Sequence, residues 1–554
     1  MSTSVLAPTR AVGHAHSRNR VPPSVNITVA VVAIGAGSVG LFSRLWFIFH
    51  TPTNSDLANV GLIAQNALHG HFTAFYGGQA YGGTAEPYLI AFAFLVFGQT
   101  GVVAELVVGA LTAAAAILTW RIALRLVSPK VALLAGALVW TAPAVAIRDS
   151  VRVFGFRGVT LVCGLGLILV ALQLLDGQRG LARFAALGLL AGVGWWSSPE
   201  IVYYAIPTGL LFGAAVVRSP GWRTWWPGGL VAIGAALVGT MPWIWANVGS
   251  GFASLHSGKM SSSSTFGGRL GVFFHYVFPM EVGLRRADSG AWVLGAVHTL
   301  ALVVVMAALV VALLLCLVRG GRALAFALAL MAFPILYAIS PATWAWQDGR
   351  YAGYLVPLLA LVLAIGSCEA VKRVGDPRAA AAMVMASVVA LSVILAVVGL
   401  RQLINAESGT FTTGWGNPDT PTLAAISKLE GAGITTGYAN YFVAYKLDFL
   451  SQGRLKITTA GYENDRSLAI NGAVAHSSRP AWLFVPPREA TVDGTQFAAP
   501  QLIVGPDTVT EAEFTATLHQ LGVGYRVVDT GIVRAVIPNK ALTPYEAKMP
   551  GAVP

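Results

Sequence analysis

Two carboxylates, Asp56 and Glu86, stand in a polar, glycine-rich tract of a chain that is otherwise strongly apolar. A carboxylate so placed can take a proton from a hydroxyl as a general base. It can equally sit there because the start of a helix favours negative charge. Both readings apply to Asp56, at the head of Ser55–Leu68, and to Glu86, next to Pro87. Between them lie Gln79 and Tyr81, flanked by glycines 77, 78, 82 and 83. Glycines permit a close backbone approach to a ligand, or a plain turn.

Four arginines elsewhere carry a second chemistry. Arg148, Arg152 and Arg157 gather around Asp149, and Arg350 precedes Tyr351 in Gln347-Asp348-Gly349-Arg350-Tyr351. Guanidinium groups grip phosphate oxygens in pairs. The alternative is pairing with Asp149, Asp348 and Glu200, or snorkelling to an interface. An arginine at a bilayer centre costs about 2.5–3.5 kcal/mol on insertion scales, so helix ends are the expected places for it. His50, His69 and His71 could join Asp56 and Glu86 around a divalent ion. Their spacing matches no metal motif, so a metal is compatible with the sequence and not required by it.

These residues must be positioned by membrane helices. The chain has 554 residues, of which 55% are hydrophobic and only 11% charged, against about 25% charged in soluble domains. A mean hydropathy of +0.67 over this length reads as a polytopic α-helical membrane protein. The net charge of +12 need not mean nucleic acid, because basic residues collect in cytoplasmic loops. The three cysteines lie in apolar stretches and imply neither a disulfide nor a cysteine zinc site.

A crossing helix needs roughly 20 apolar residues. The expected spans are 25–49, 102–124, 130–147, 156–175, 182–198, 200–217, 227–247, 291–318, 323–341, 351–371 and 379–400. With the 1–24 tail inside, nearly every cytoplasmic loop is short and basic, as the positive-inside bias requires. An odd count then puts the C-terminus outside. Ser55–Leu68 carries Leu57, Val60, Ile63, Ala64, Ala67 and Leu68 on one stripe and reads as an interfacial helix, with Asn54 or Ser55 as N-cap. Glu86–Gly98 is apolar but too short to cross.

From residue 402 onward charges and strand-like patterns appear. Residues 402–554 read as a soluble α/β domain on the outer side, with a helix over Thr422–Gly431. Its expected strands are Arg454–Ala460, Ala481–Val485, Gln501–Val504 and Tyr525–Ile537. Tyr438, Tyr441 and Tyr445 recur at helical spacing, which suits core packing more than sugar stacking. No glycine-rich nucleotide fingerprint follows a strand. Gly258-Lys259 lacks the Ser or Thr of a phosphate-binding loop, and no Asp-x-Asp holds a metal diphosphate.

Taken in order, several elements resemble the GT-C superfamily of integral-membrane glycosyltransferases, which includes protein O-mannosyltransferases and aminoarabinose transferases. They are the early Asp56 after the first span and Gln79-x-Tyr81-Gly82-Gly83-x-x-Glu86. Trp195-Trp196-Ser197-Ser198-Pro199-Glu200, Pro242-Trp243-Ile244-Trp245-Ala246-Asn247 and Gly349-Arg350-Tyr351-x-x-Tyr354-x-x-Pro357 follow. The resemblance covers 25–401 as architecture, with the loop 50–101 carrying interfacial helices.

The span reading gives about 11 membrane helices, and the resemblance implies an inverting glycosyltransferase using a polyprenyl-phosphate-linked sugar donor. The acceptor would be a hydroxyl of a cell-envelope glycan, glycolipid or protein, reached on the external face of the plasma (inner) membrane. It places the family's acidic catalytic residue on Asp56, with Glu86 as the second carboxylate. Arg148, Arg152, Arg157, Glu200, Gln79, Tyr81, Arg350 and Tyr351 are the substrate-binding candidates. Some members carry an Asp near the start of the fourth span; here Asp149 comes early and Arg157 is closer to that place. The competing reading is a secondary transporter or flippase for a lipid-linked or anionic substrate. No internal repeat supports it, and the charges cluster at the external helix ends.

Overall fold

A computed structural model describes residues 23–218, 225–256, 264–346, 349–372, 376–406, 408, 411–412, 414–460, 466–485 and 509–549. Most of the 1–24 tail, Gly258-Lys259, Gln347-Asp348 and the expected strand Gln501–Val504 lie outside the described residues.

The helices of the membrane part are α1 (Pro23–His50), α2 (Ser55–Leu68), α3 (Ala85–Phe97), α4 (Gly101–Ala123), α5 (Pro129–Thr141) and α6 (Ala144–Asp149). Then come α7 (Arg157–Leu175), α8 (Leu181–Ser197), α9 (Val202–Arg218) and α10 (Trp226–Gly249). Two short helices, α11 (Phe266–Val272) and α12 (Phe278–Glu281), precede α13 (His298–Arg319), α14 (Gly321–Ile339), α15 (Leu355–Ala370) and α16 (Pro377–Ala406). Among the described residues seven helices are long and apolar enough to cross a membrane, and the protein is a multi-pass membrane protein. The other expected spans fall on α5, α8, α9 and α15, which have 13 to 17 residues.

One difference has a local cause. The expected span 130–147 is two helices, broken where Ala142 leaves the helical region (ψ 159°) before Pro143. Proline cannot donate to the helix ladder and drives the preceding residue out of the α region.

Helix α15 is buried on nearly every side, from Leu355 to Ser367, as expected of a helix apolar all round. It is the central post of the main apolar core, with α4, α5, α13, α14 and α16 around it. Helices α10 and α13 leave most of their apolar surface outward, toward lipid.

The stripe of α2 meets protein. Leu57, Val60, Ala64 and Ala67 pack with Ile90 and Phe94 of α3, Val103 and Val108 of α4, and Tyr445 and Phe449 of the C-terminal domain. Asn54 caps α2 by accepting from the Leu57 amide at 2.9 Å.

The C-terminal domain comprises α17 (Thr420–Gly431), β1 (Thr436–Ala439), α18 (Tyr441–Leu450), β2 (Lys456–Thr459), α19 (Leu468–Ala475), β3 (Ala481–Phe484), α20 (Glu511–Gln520), β4 (Tyr525–Asp529) and β5 (Arg534–Pro538). Its sheet runs β2-β1-β3-β5-β4. The pairs β2/β1 and β1/β3 are parallel, and β3/β5 and β5/β4 are antiparallel. The expected single strand Tyr525–Ile537 is a hairpin. Asp529 accepts from the Gly531 amide at 2.8 Å, and Gly531 has φ +98°, a conformation that glycine adopts without strain. The expected tyrosine stripe also divides: Tyr438 lies in β1 against Trp482, and only Tyr441 and Tyr445 share a helix.

Candidate active site

Four elements bring the polar residues together at one end of the helix bundle. The first turn of α2 presents Asp56, with 45% of its side chain exposed. The 3₁₀ turn Gly349–Ala352, leading into α15, presents Arg350 and Tyr351. The start of α7 presents Arg157, and the turn Pro199–Ile201 presents Glu200.

The Arg350 guanidinium donates to the Asp56 carboxylate at 3.2 Å. Tyr351 lies beneath two cations, with Arg157 at 4.5 Å and Arg350 at 5.6 Å from its ring centre. Phe154 adds a second aromatic face, 5.0 Å from Arg350. Arg157 approaches Glu200 at 3.5 Å, and the Tyr354 hydroxyl donates to that same carboxylate at 2.9 Å. The arginines are thus held by aromatic faces and carboxylates, which fixes long side chains at low entropic cost.

Beside this cluster lies a cavity of about 110 Å³. Arg44, Arg152, Arg157 and Arg350 line it, with the acids Glu86, Asp149 and Glu281. The rest of its wall is apolar, including Val108, Leu161, Val356 and Pro357. A space lined by both guanidinium groups and hydrocarbon is compatible with a ligand that has a phosphate and an apolar tail.

Glu86 is almost wholly buried and its carboxylate accepts from the amides of Gly158 and Val159, at 2.9 and 3.4 Å. These are the free N–H groups at the start of α7. Burial pushes the Glu86 carboxyl up to about 7, against the pull of those amides and of Arg157. Glu86 therefore braces the helix that carries Arg157, as well as lining the cavity.

Arg148, by contrast, is buried on α6 and donates to Asp149 at 2.9 Å; it is not among the residues lining the cavity. Gln79 and Tyr81 lie toward the C-terminal domain. With its amide oriented to match its neighbours, the Gln79 oxygen accepts from the Tyr81 hydroxyl at 3.2 Å and from the Arg466 guanidinium. Among the described residues no group of three or more His, Cys, Asp or Glu side chains is arranged to hold a metal ion. His50 and His69 instead bond backbone carbonyls one turn earlier, of Trp46 and Gln65.

Sequence reasoning missed Arg44, Glu281 and Arg466, and gave no site role to Tyr354 or Tyr441, both of which it had named. Arg44 had a signal, an arginine inside an otherwise apolar span. Its guanidinium bonds the carbonyls of Gly40 and Trp140 at 2.7 and 2.8 Å and the Ser150 hydroxyl at 2.8 Å. Arg466 had none, because only the fold brings the C-terminal domain to the first loop.

No protein-family model matches the sequence, and no curated protein does. Solved structures do. The crystal structure of ArnT from Cupriavidus metallidurans in the apo state aligns with TM-score 0.56 and 13% identity, over 93% of this chain and 97% of that one. The same protein bound to undecaprenyl phosphate aligns with TM-score 0.53 and 13% identity, over 93% and 98%. At this identity the likeness is one of fold, and the fold is the GT-C fold that the motif order implies.

Proposed function

We propose that this chain, built on the GT-C fold, is a membrane glycosyltransferase that moves a sugar from a polyprenyl-phosphate donor to a hydroxyl of a cell-envelope acceptor. The observation that carries the reading is the double engagement of Arg350, which lines the cavity and bonds Asp56. The group suited to a donor phosphate and the group suited to an acceptor proton are adjacent. ArnT bound to undecaprenyl phosphate, which shares this fold, supports a lipid phosphate as the ligand class.

In this reading the donor arrives through the bilayer and its isoprenoid chain lies against Val108, Leu161, Val356 and Pro357. Arg350, Arg157 and Arg152 hold its phosphate. The acceptor oxygen attacks the anomeric carbon as the bond from that carbon to the phosphate oxygen breaks. The acceptor proton passes to Asp56, and polyprenyl phosphate leaves with the bond electrons, its charge stabilised by the arginines. A single displacement inverts the anomeric centre. Tyr351 fixes the two guanidinium planes, and Glu200 with Tyr354 orients Arg157. Glu86 acts through α7 rather than on the reacting atoms. We place the site on the external face of the plasma membrane, with the N-terminus in the cytoplasm and the C-terminal domain outside, following the distribution of basic loops.

The test is reconstitution in liposomes with radiolabelled polyprenyl-phosphate sugars and a membrane extract as acceptor source. Transfer by the wild-type protein and its loss in Asp56→Ala are expected. Undiminished transfer in that variant would remove Asp56 from the mechanism. Movement of label across the bilayer without transfer would favour the transport reading.

A further inference from the structure

The Asp56 side of the site is gripped by the C-terminal domain. Asn59, three residues after Asp56, donates from its amide nitrogen to the Tyr441 hydroxyl at 2.8 Å and to the Ser55 carbonyl at 2.9 Å. Two residues on, α2 and α18 touch without a spacer: a Cβ on Gly61 would lie 2.3 Å from the Phe449 ring. Gln65 donates to the Phe449 carbonyl at 3.2 Å. On the other flank of Asp56, Thr53 bonds Asp419 through both its amide and its hydroxyl, at 2.9 and 2.6 Å. Asp419 is itself 4.0 Å from the fully buried Lys446.

Arg466 makes the same connection to the glycine-rich loop. Its guanidinium reaches the Gly77 carbonyl at 3.5 Å and the side chain of Gln79, and lies 5.7 Å from the Tyr441 ring centre. Its backbone amide donates to the hydroxyl of the fully buried Tyr445 at 2.7 Å. The approach is so close that a Cβ on Gly77 would lie 2.0 Å from the Arg466 carbonyl oxygen. Burial raises the Tyr441 hydroxyl to about 12, and the charge of Asp56 adds to that rise. Tyr441 is therefore within electrostatic reach of the carboxylate.

We propose that Tyr441 and Arg466 are positioning residues of the transfer reaction, holding α2 and the Gly77–Gly83 loop so that Asp56 stays opposite Arg350. The C-terminal domain is then a working part of the site, because the helix bearing Asp56 is fixed from its side. This rests on the reading of Asp56 as the base. The domain acts on the rate of the chemical step and leaves the cavity beneath, lined by the membrane helices, unchanged.

The test has two arms on the full chain in liposomes, with Tyr441→Phe, Arg466→Ala and Arg466→Lys. In the transfer assay, Arg466→Ala is expected to lower kcat on the order of tenfold to a hundredfold, as ångström misplacement of a reacting group does. KM for the lipid donor stays within about twofold and Arg466→Lys recovers part of the rate, as retained charge near Gln79 requires. Tyr441→Phe lowers kcat in the same direction. In the second arm, hydrogen exchange of the Ser55–Leu68 amides accelerates in Arg466→Ala and Tyr441→Phe while the sheet amides of the C-terminal domain stay protected. Unchanged exchange in Ser55–Leu68, or a kcat for Arg466→Ala equal to wild type, overturns the proposal. If Arg466→Ala also exposes the sheet amides, Tyr441→Phe and Arg466→Lys decide. An Asp56→Ala control that retains transfer overturns the functional reading instead, and the exchange arm still settles whether these residues hold α2.

Discussion

Arg350 bonds Asp56 at 3.2 Å while lining the arginine-rich cavity, so one guanidinium stands between a carboxylate and a space suited to phosphate. The pair is partly open, with 26% of the Arg350 side chain and 45% of the Asp56 side chain exposed. Such a pair is worth about 0.2–1 kcal/mol. A charge-assisted bond from arginine to a phosphate is stronger than that. In the proposed reaction, an arriving lipid phosphate would compete for Arg350 and so free the carboxylate for a proton.

Asp56→Ala is accordingly expected to lower kcat by roughly 10²–10⁴-fold, the usual range for a general base. Affinity for undecaprenyl phosphate should hold or rise by no more than about fivefold, since the lost pair was worth less than about 1 kcal/mol. Calorimetric titration of wild type and variant with that lipid checks the second point. A large loss of affinity would show that Asp56 serves binding rather than proton transfer.

Arg350→Lys should not stand in for arginine. Lysine presents a point charge, without the fork that spans two oxygens or the plane that packs against Phe154 and Tyr351. Arg350→Ala and Arg350→Lys should both weaken undecaprenyl phosphate binding by about tenfold or more, a charge-assisted bond's worth. Full binding by the lysine variant would mean that only net charge matters there.

Glu86→Gln bears on pH. The folded carboxyl sits at about 7 against an ordinary 4.5, chiefly through burial. The raised value means that the stabilising contribution of the protonated form is complete below about pH 4.5 and is lost as pH rises through about 7. Wild type should lose melting temperature over that window relative to Glu86→Gln, whose side chain stays neutral and still accepts from the α7 amides. A difference between the two proteins that does not vary from pH 4.5 to 8 would contradict the assignment.

Gly155 and Gly70 separate strain from collision. Both have positive φ, +86° and +84°. At Gly155 a Cβ would fall 1.0 Å from the Tyr76 hydroxyl, whereas at Gly70 nothing lies within 4 Å. Gly70→Ala should cost only the backbone term, about 1–2 kcal/mol. Gly155→Ala should cost considerably more and disturb the turn before Arg157, which thermal melting and transfer rate would both register. Equal effects would mean that Tyr76 yields freely.

The membrane architecture was legible because apolar runs of bilayer length have few alternatives, and Asp56 was legible from its place after the first of them. Arg350 was singled out because it breaks the charge bias at a helix end, and Tyr351 through the motif that follows it. The Pro143 break was readable in principle, since a proline stands in the middle of the expected span. The C-terminal domain was harder. Three tyrosines at helical spacing pointed to one helix across Tyr438, yet Gly437 and Tyr438 belong to a strand between β2 and β3. The apolar run at 525–537 hid a turn at Gly531. Burial of the α2 stripe against α18 could not be read at all, because an amphipathic helix has the same pattern whether lipid or protein covers it.

The break between α5 and α6 has a consequence for how this sequence can change over time. The carbonyl of Trp140, near the end of α5, accepts from the Arg44 guanidinium, whose face also lies 4.0 Å from the Trp140 ring centre. Arg44 is buried in α1 and draws its other partners from Gly40 and Ser150. The proline and the arginine are therefore two halves of one inherited decision. A lineage that lost Arg44 alone would leave a carbonyl stranded in hydrocarbon, and one that healed the helix by replacing Pro143 would leave a cation with fewer partners. Descendants of this chain should keep both or abandon both.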